Sequence, residues 1–223
     1  MRYLIGIDIG TSATKTILMD EEGNVAAQAV RDYPLYQPDN GWAEQAPEDW
    51  QQAALETLKQ VVEQSGVNRG DIQGIGLSGQ MHGLVMLDEA GNPIRRSIIW
   101  CDQRSGQQVD EMLNLLPYEK WLEITANPPI AAWTAAKLLW VKRHEPEIYA
   151  KCRHILLPKD YIRYVLTGQF ATDVSDASGM QMLDVKNRCW VCRRKCLERY
   201  MSLKRLLAGC CSQWLRNAAS PQM

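Results

Sequence analysis

The stretch Tyr3-Leu4-Ile5-Gly6-Ile7-Asp8-Ile9-Gly10-Thr11-Ser12-Ala13-Thr14-Lys15-Thr16-Ile17-Leu18-Met19 decides the fold. Its first seven residues form a short apolar strand that ends beside an acid. Gly10, Thr11 and Ser12 leave room only for a turn. Residues 14–19 then read as a second strand, closed by the turn Asp20-Glu21-Glu22-Gly23-Asn24. Residues 25–31 make a third, so the chain opens as a three-strand meander with tight polar turns. Outward from there, Pro47 opens a helix with Glu48 and Asp49 in its first turn, where acids suit the helix dipole. Trp50, Ala54, Leu58, Val61 and Val62 give that helix one apolar face, and Gly66 stops it. Residues 72–77, 84–87 and 94–99 read as three further strands, the last two joined by Asp88-Glu89-Ala90-Gly91-Asn92. Helical patterns fill 105–116 and 131–143, and a strand at 154–157 leads into a helix at 160–166. Strands alternating with helices in this way predict an α/β domain.

Composition bounds the function. The chain has 223 residues with 46% hydrophobic and 23% charged, which excludes a disordered chain and a small disulfide scaffold. Net charge is −1, so no overall field points to nucleic acid or an anionic membrane. No apolar run is long enough to span a bilayer, and Asp8 interrupts what could pass for a signal peptide. The cytoplasm is therefore the expected location. The near-neutrality hides a break, however. Residues 1–185 hold 16 Lys+Arg against 25 Asp+Glu, net −9, whereas residues 186–223 hold 9 against Glu198 alone, net +8. Five of the seven cysteines, Cys189, Cys192, Cys196, Cys210 and Cys211, also lie beyond the break. Cys189 and Cys192 have zinc-ligand spacing, but Cys210 and Cys211 lack the two-residue spacer a second pair needs.

Three segments could carry chemistry. At residues 8–12, Asp and Gly could be ordinary hairpin residues. They could also form a phosphate cradle, in which Gly10 admits a close approach and the Thr11 and Ser12 amides and hydroxyls donate to oxygens. Asp8 would then hold Mg²⁺ through water, with Lys15 adding positive charge. Residues 74–79 match G-x-G-x-x-G, but the glycines fall inside a strand and no helix follows, so a dinucleotide fingerprint is rejected. The turn Gln80-Met81-His82-Gly83 offers groups suited to the hydroxyls of a small polyol, although a lone His in a turn is most often simply exposed. In Trp100-Cys101-Asp102-Gln103-Arg104, Asp102 reads as a helix cap behind a buried Trp, or Trp100 reads as a wall for the C–H face of a sugar.

Together with Pro158-Lys159-Asp160-Tyr161, these motifs stand in an order that resembles the N-terminal domain of FGGY-type carbohydrate kinases, from about residue 3 to about residue 190. The resemblance implies an actin-like, ribonuclease H-like ATPase domain with a mixed sheet, one lobe of a normally two-lobed kinase. It implies ATP and Mg²⁺ as cofactors and a small sugar as partner, with no nucleic acid and no membrane, and it is compatible with a homodimer in full-length members. Asp8 would be the catalytic, metal-linked acid, with Gly10, Thr11, Ser12 and Lys15 at the phosphates and Gln80, Met81, His82 and Trp100 at the sugar. Met81-His82, Ala135, Lys137-Leu138-Leu139-Trp140 and residues 157–161 look most like members acting on D-xylulose, giving D-xylulose 5-phosphate. Glycerol-phosphorylating members look as if they carry Arg-Glu at the Met-His positions. Full-length members are much longer, and their second domain supplies the adenine pocket and the general base. Residues 1–190 are thus expected to be an incomplete kinase lobe that does not turn over alone. Residues 191–223 are expected to be a poorly ordered, out-of-frame tail. The alternative is a sugar-binding or regulatory remnant without enzymatic activity.

Overall fold

The computed structural model describes residues 1–191; the expectations for the tail, including those for Cys192, Cys196, Cys210 and Cys211, lie outside the described residues. The meander forms as read: β1 (Tyr3–Ile9), β2 (Ala13–Asp20) and β3 (Val25–Asp32). A short β4 (Glu44–Gln45) precedes α1 (Pro47–Ser65), which starts on Pro47 and stops at Gly66 in a left-handed conformation, φ 64°. β5 (Ile72–Gly79), β6 (Val85–Leu87) and β7 (Ser97–Ile98) follow. Then come α2 (Gly106–Leu115), α3 (Tyr118–Thr125), α4 (Thr134–His144), α5 (Pro146–Lys151), β8 (His154–Leu156), α6 (Pro158–Thr167) and α7 (Val174–Ser178). The described chain closes with the pair β9 (Leu183–Asp184) and β10 (Cys189–Trp190).

The main sheet is mixed, in the order β3-β2-β1-β5. β1 pairs antiparallel with β2 and parallel with β5, and the crossover through α1 is what allows the parallel pairing. Alternation along β1 turns Ile5, Ile7 and Ile9 inward, while Leu4 and Asp8 face out. α1 covers the inner face with Trp50, Ala54 and Val61, all buried with Leu18 and Ala29 in one core. One polar contact crosses that interface: the Thr16 and Thr57 hydroxyls meet at 2.7 Å, both buried. α2 packs on α4, α6 packs on α1, β5 and β1, and the pairs β6–β8 and β4–β7 form two separate small sheets; Leu84, Met86, Ile98, Met112 and Trp121 are fully enclosed.

Several expectations are corrected. The strand at 94–99 shrinks to Ser97–Ile98, because Ile94 donates back to Met86 O at 3.0 Å and Arg95 turns inward to an ion pair. The helix at 131–143 begins only at Thr134. α3, α5 and α7 have no counterpart in the sequence reading; each has eight residues or fewer, too short to display a helical period.

Trp50 is fully buried between α1 and the sheet, with its indole N–H on Gln45 Oε1 at 3.2 Å. Trp50→Ala should therefore lower the stability of the chain by about 3–5 kcal/mol through the cavity it leaves. Urea unfolding followed by far-UV circular dichroism measures this.

Candidate active site

The turn at 10–12 is held by its carbonyls. Gly10 N–H donates to Ala13 O at 3.0 Å, and a Cβ on Gly10 would stand 3.0 Å from that same oxygen, so the position is built for glycine. Gly10 O accepts from the Tyr33 hydroxyl in a short hydrogen bond and from Gln80 Nε2 at 3.3 Å. Thr11 O accepts from Gln45 Nε2 at 2.7 Å, and the Thr11 hydroxyl accepts from Trp100 Nε1 at 3.0 Å. The oxygens are thus drawn inward, and the Thr11 and Ser12 amides have no hydrogen-bond partner among the described residues. This is the polarity an anion needs. Burial pushes the Tyr33 phenol up to about 12, with the Asp8 carboxylate adding to the shift, so it stays a neutral donor. Asp8 is exposed and faces Lys15 on β2 and Ser78 on β5 by register. These three line an open groove of about 420 Å³.

The second turn, at 80–83, lies beside the first. The parallel ladder runs one step past the strand ends, with Gln80 N–H on Ile9 O at 2.7 Å. Gln80 is buried, and its amide N–H₂ is committed to Gln45 Oε1 at 2.8 Å and Gly10 O. It therefore braces the two turns, and only its Oε1 has no partner among the described residues. Met81 is 50% exposed and free to meet a ligand. His82 departs from the exposed turn histidine expected of it. It is half-buried, in a left-handed backbone with φ 60°, its ring edge-on to Trp133 at 4.1 Å and close against Gly179. Burial, with the Lys137 charge second, drives its pKa down to about 4, so the imidazole is neutral at neutral pH.

The third segment comes after β7. Trp100 is 39% exposed, not buried, and its indole reaches the phosphate-type turn. Asp102 does not cap α2, whose N-cap position is Ser105. Fully buried, Asp102 accepts Ala43 N–H at 2.6 Å, Arg104 N–H at 2.9 Å and the Arg104 guanidinium at 2.7 Å. Sequence reasoning missed the network this starts. Arg104 also reaches Glu44 at 2.7 Å and stacks on Trp42 at 3.7 Å, while Arg95 joins Glu44 at 2.7 Å and Glu145 at 3.1 Å. Its only outward sign is the chain's eight Trp against one Phe, an excess that suits guanidinium stacking. Lys159, quoted in the sequence only as part of the 158–161 motif with no role given, bridges Asp160, Asp173 and Asp176 at 2.9, 2.7 and 3.1 Å. Burial opposes its charge, but the three carboxylates hold it above the ordinary lysine range.

A turn with amides unpartnered among the described residues and an acid at its root thus stands beside a second turn that carries Met81 and His82. The chain belongs to the FGGY family of carbohydrate kinases: the model of that family's N-terminal domain matches residues 3–198. The xylulose kinase of Bacillus subtilis is 45% identical over 190 residues, which is 85% of this chain and 38% of that protein. A solved structure described as a xyloylose kinase from Brucella ovis superposes with TM-score 0.85 at 34% identity, covering 95% of this chain and 43% of that one. A gluconate kinase from Lactobacillus acidophilus superposes at 0.81 with 30% identity, over 89% of this chain and 39% of its own. This chain thus spans about two-fifths of the relatives it matches.

Lys137, on α4, is fully buried behind His82, and burial drives its pKa down to about 7 from the ordinary 10.5. Between those values an unfolded chain holds a proton that the folded chain has released, so raising the pH favours the fold. From pH 7 to 10, urea unfolding should show stability rising by up to about 4 kcal/mol relative to Lys137→Met, which lacks that titration.

Proposed function

We propose that residues 1–190 are the N-terminal lobe of an ATP-dependent sugar kinase acting in the cytoplasm, with D-xylulose as acceptor and D-xylulose 5-phosphate as product. One observation carries the reading. β1 and β5 run parallel and in register to their ends, so the 10–12 and 80–83 turns stand side by side, tied by Gln80 N–H to Ile9 O at 2.7 Å. The named relatives favour xylulose, and Met81 and His82 support it as the groups that would meet the sugar.

The donor set fits a magnesium ion arriving with the nucleotide. Asp8 is a single exposed carboxylate, and the described residues hold no group of three or more His, Cys, Asp or Glu able to keep an ion by themselves. Mg²⁺ keeps several waters and is bound through one or two carboxylates plus phosphates, so Asp8 would hold it through water. When bound, it would supply charge neutralisation at the phosphates. The Thr11 and Ser12 amides and the Lys15 ammonium would take phosphate oxygens. The neutral His82 ring, Met81 and the Trp100 face would orient the sugar, the indole against its C–H surface. Holding donor and acceptor in line is most of phosphoryl-transfer catalysis. The base that takes the hydroxyl proton and the adenine pocket are assigned to the lobe beyond this one.

The test is a chimera joining residues 1–190 to the C-terminal lobe of the Bacillus subtilis xylulose kinase. Its kcat/KM for D-xylulose should exceed those for glycerol and gluconate by at least about tenfold, a margin that pocket contacts can supply. Glycerol or gluconate ahead by that margin overturns the sugar assignment. In the chimera Asp8→Ala should cut kcat by about a hundredfold or more, as removal of a key electrostatic stabiliser does. A loss below about tenfold returns the 8–12 segment to an ordinary hairpin. A coupled ADP-release assay should show sugar-dependent turnover in the chimera and none in the 223-residue chain.

A further inference from the structure

His82 is the one non-glycine residue of the 80–83 turn with positive φ, at 60°. A side chain in this region is strained and persists only where the surroundings hold it. The surroundings here are two donors from one helix. His82 O accepts the Thr134 hydroxyl at 3.2 Å and Lys137 Nζ at 2.8 Å, which fills both lone pairs of the carbonyl. Lys137 Nζ gives a second bond to Ala132 O at 2.5 Å. The same helix start carries Trp133, whose ring meets the imidazole. His82 Nδ1 is buried without a hydrogen-bond partner among the described residues.

We propose that Lys137 is a positioning residue: with Thr134 it clamps the His82 carbonyl and so fixes the backbone that presents the His82 imidazole and Met81 to the sugar. The identity of the ligand rests on the sugar-kinase reading; the clamp does not. Lysine serves here as a buried hydrogen-bond donor. Two carbonyls take two of its N–H groups, while burial lowers its pKa. A leucine or methionine would fill the space and leave the carbonyl half-satisfied.

The imidazoles report the clamp directly. The chain has three histidines, His82, His144 and His154, and their ring signals can be followed by NMR on the histidine-labelled 223-residue protein, with His82→Gln as assignment. In Lys137→Met and in the milder Thr134→Val, the His82 signal should move while those of His144 and His154 stay. D-Xylulose affinity, read by calorimetry, should fall about tenfold in Lys137→Met, the loss expected when a buried hydrogen bond is broken. A His82 signal unmoved in both variants overturns the clamp. Movement of all three signals together also overturns it, because that marks a general structural role. If Lys137→Met does not fold, Thr134→Val decides by the same signals. A wild-type chain that binds no D-xylulose overturns the sugar assignment, and the His82 signal still judges the clamp.

Discussion

The site depends on a single strand pairing. β1 and β5 lie parallel with Asp8 opposite Ser78 and Ile9 opposite Gly79, so both chains leave the sheet at the same level and on the same edge. Parallel strands present their carboxyl ends together, and the two turns that leave those ends must share the crevice above them. One turn carries the Thr11 and Ser12 amides, unpartnered among the described residues, and the other carries Met81 and His82. A slip of one residue would turn Asp8 and Lys15 onto the covered face beneath α1 and carry Ile5, Ile7 and Ile9 out to solvent. Burying that charged pair there would cost far more than the ladder gains. The isoleucine alternation in β1 therefore sets the register, and the register builds the crevice.

Around that crevice the protein uses buried polar groups as braces. Gln45 and Gln80 link the two turns, and Tyr33 and Trp100 hold the first from outside. The Glu44–Arg104–Asp102 network fixes the segment after β7, because Asp102 ties it to Ala43 and Arg104 to Trp42. A buried ion pair is weak evidence for stability, since desolvation offsets much of its attraction. Its value here is geometric. Three acids and two arginines fill one small volume, and few other arrangements of β4, β7 and α2 satisfy them all.

How far the sequence could be read depends on where the information is local. β1, β2, β3, α1 and β5 were legible because alternation, a proline start and a glycine stop each act within a few residues. The turns at 20–24 and 88–92 were legible for the same reason: Asp20 Oδ1 accepts Asn24 N–H at 2.9 Å, Asp88 Oδ1 accepts Asn92 N–H at 2.8 Å, and glycine supplies the positive φ in each. Arg104, Lys137 and Lys159 were illegible as to role: the Glu44 and His82 partners of the first two lie 60 and 55 residues away, and Asp160 and Asp102 beside Lys159 and Arg104 do not reveal that these pairs are buried. Asp102 misled for a related reason. An acid shortly before a helix suits a cap, but here tertiary partners outcompeted the helix amides.

The glycines of 74–83 show how identical letters can serve different physics. In a dinucleotide fold they would admit a pyrophosphate. Here a Cβ on Gly79 would stand 3.0 Å from Ile9 O and 3.3 Å from Lys159 Cβ, and one on Gly83 would stand 2.7 Å from Pro158 Cγ. The close approach they permit is that of α6 to the sheet edge. The start of α6 thus abuts both flanks of the 80–83 turn, while α4 clamps its middle through His82 O. That accounts for the Pro158-Lys159-Asp160-Tyr161 segment, which otherwise has no ligand to explain it. Its proline and lysine stem press on the glycines, and Lys159 is in turn anchored by Asp160, Asp173 and Asp176. A turn pinned by one helix at its ends and another at its centre can hold a left-handed histidine, a conformation that would otherwise relax.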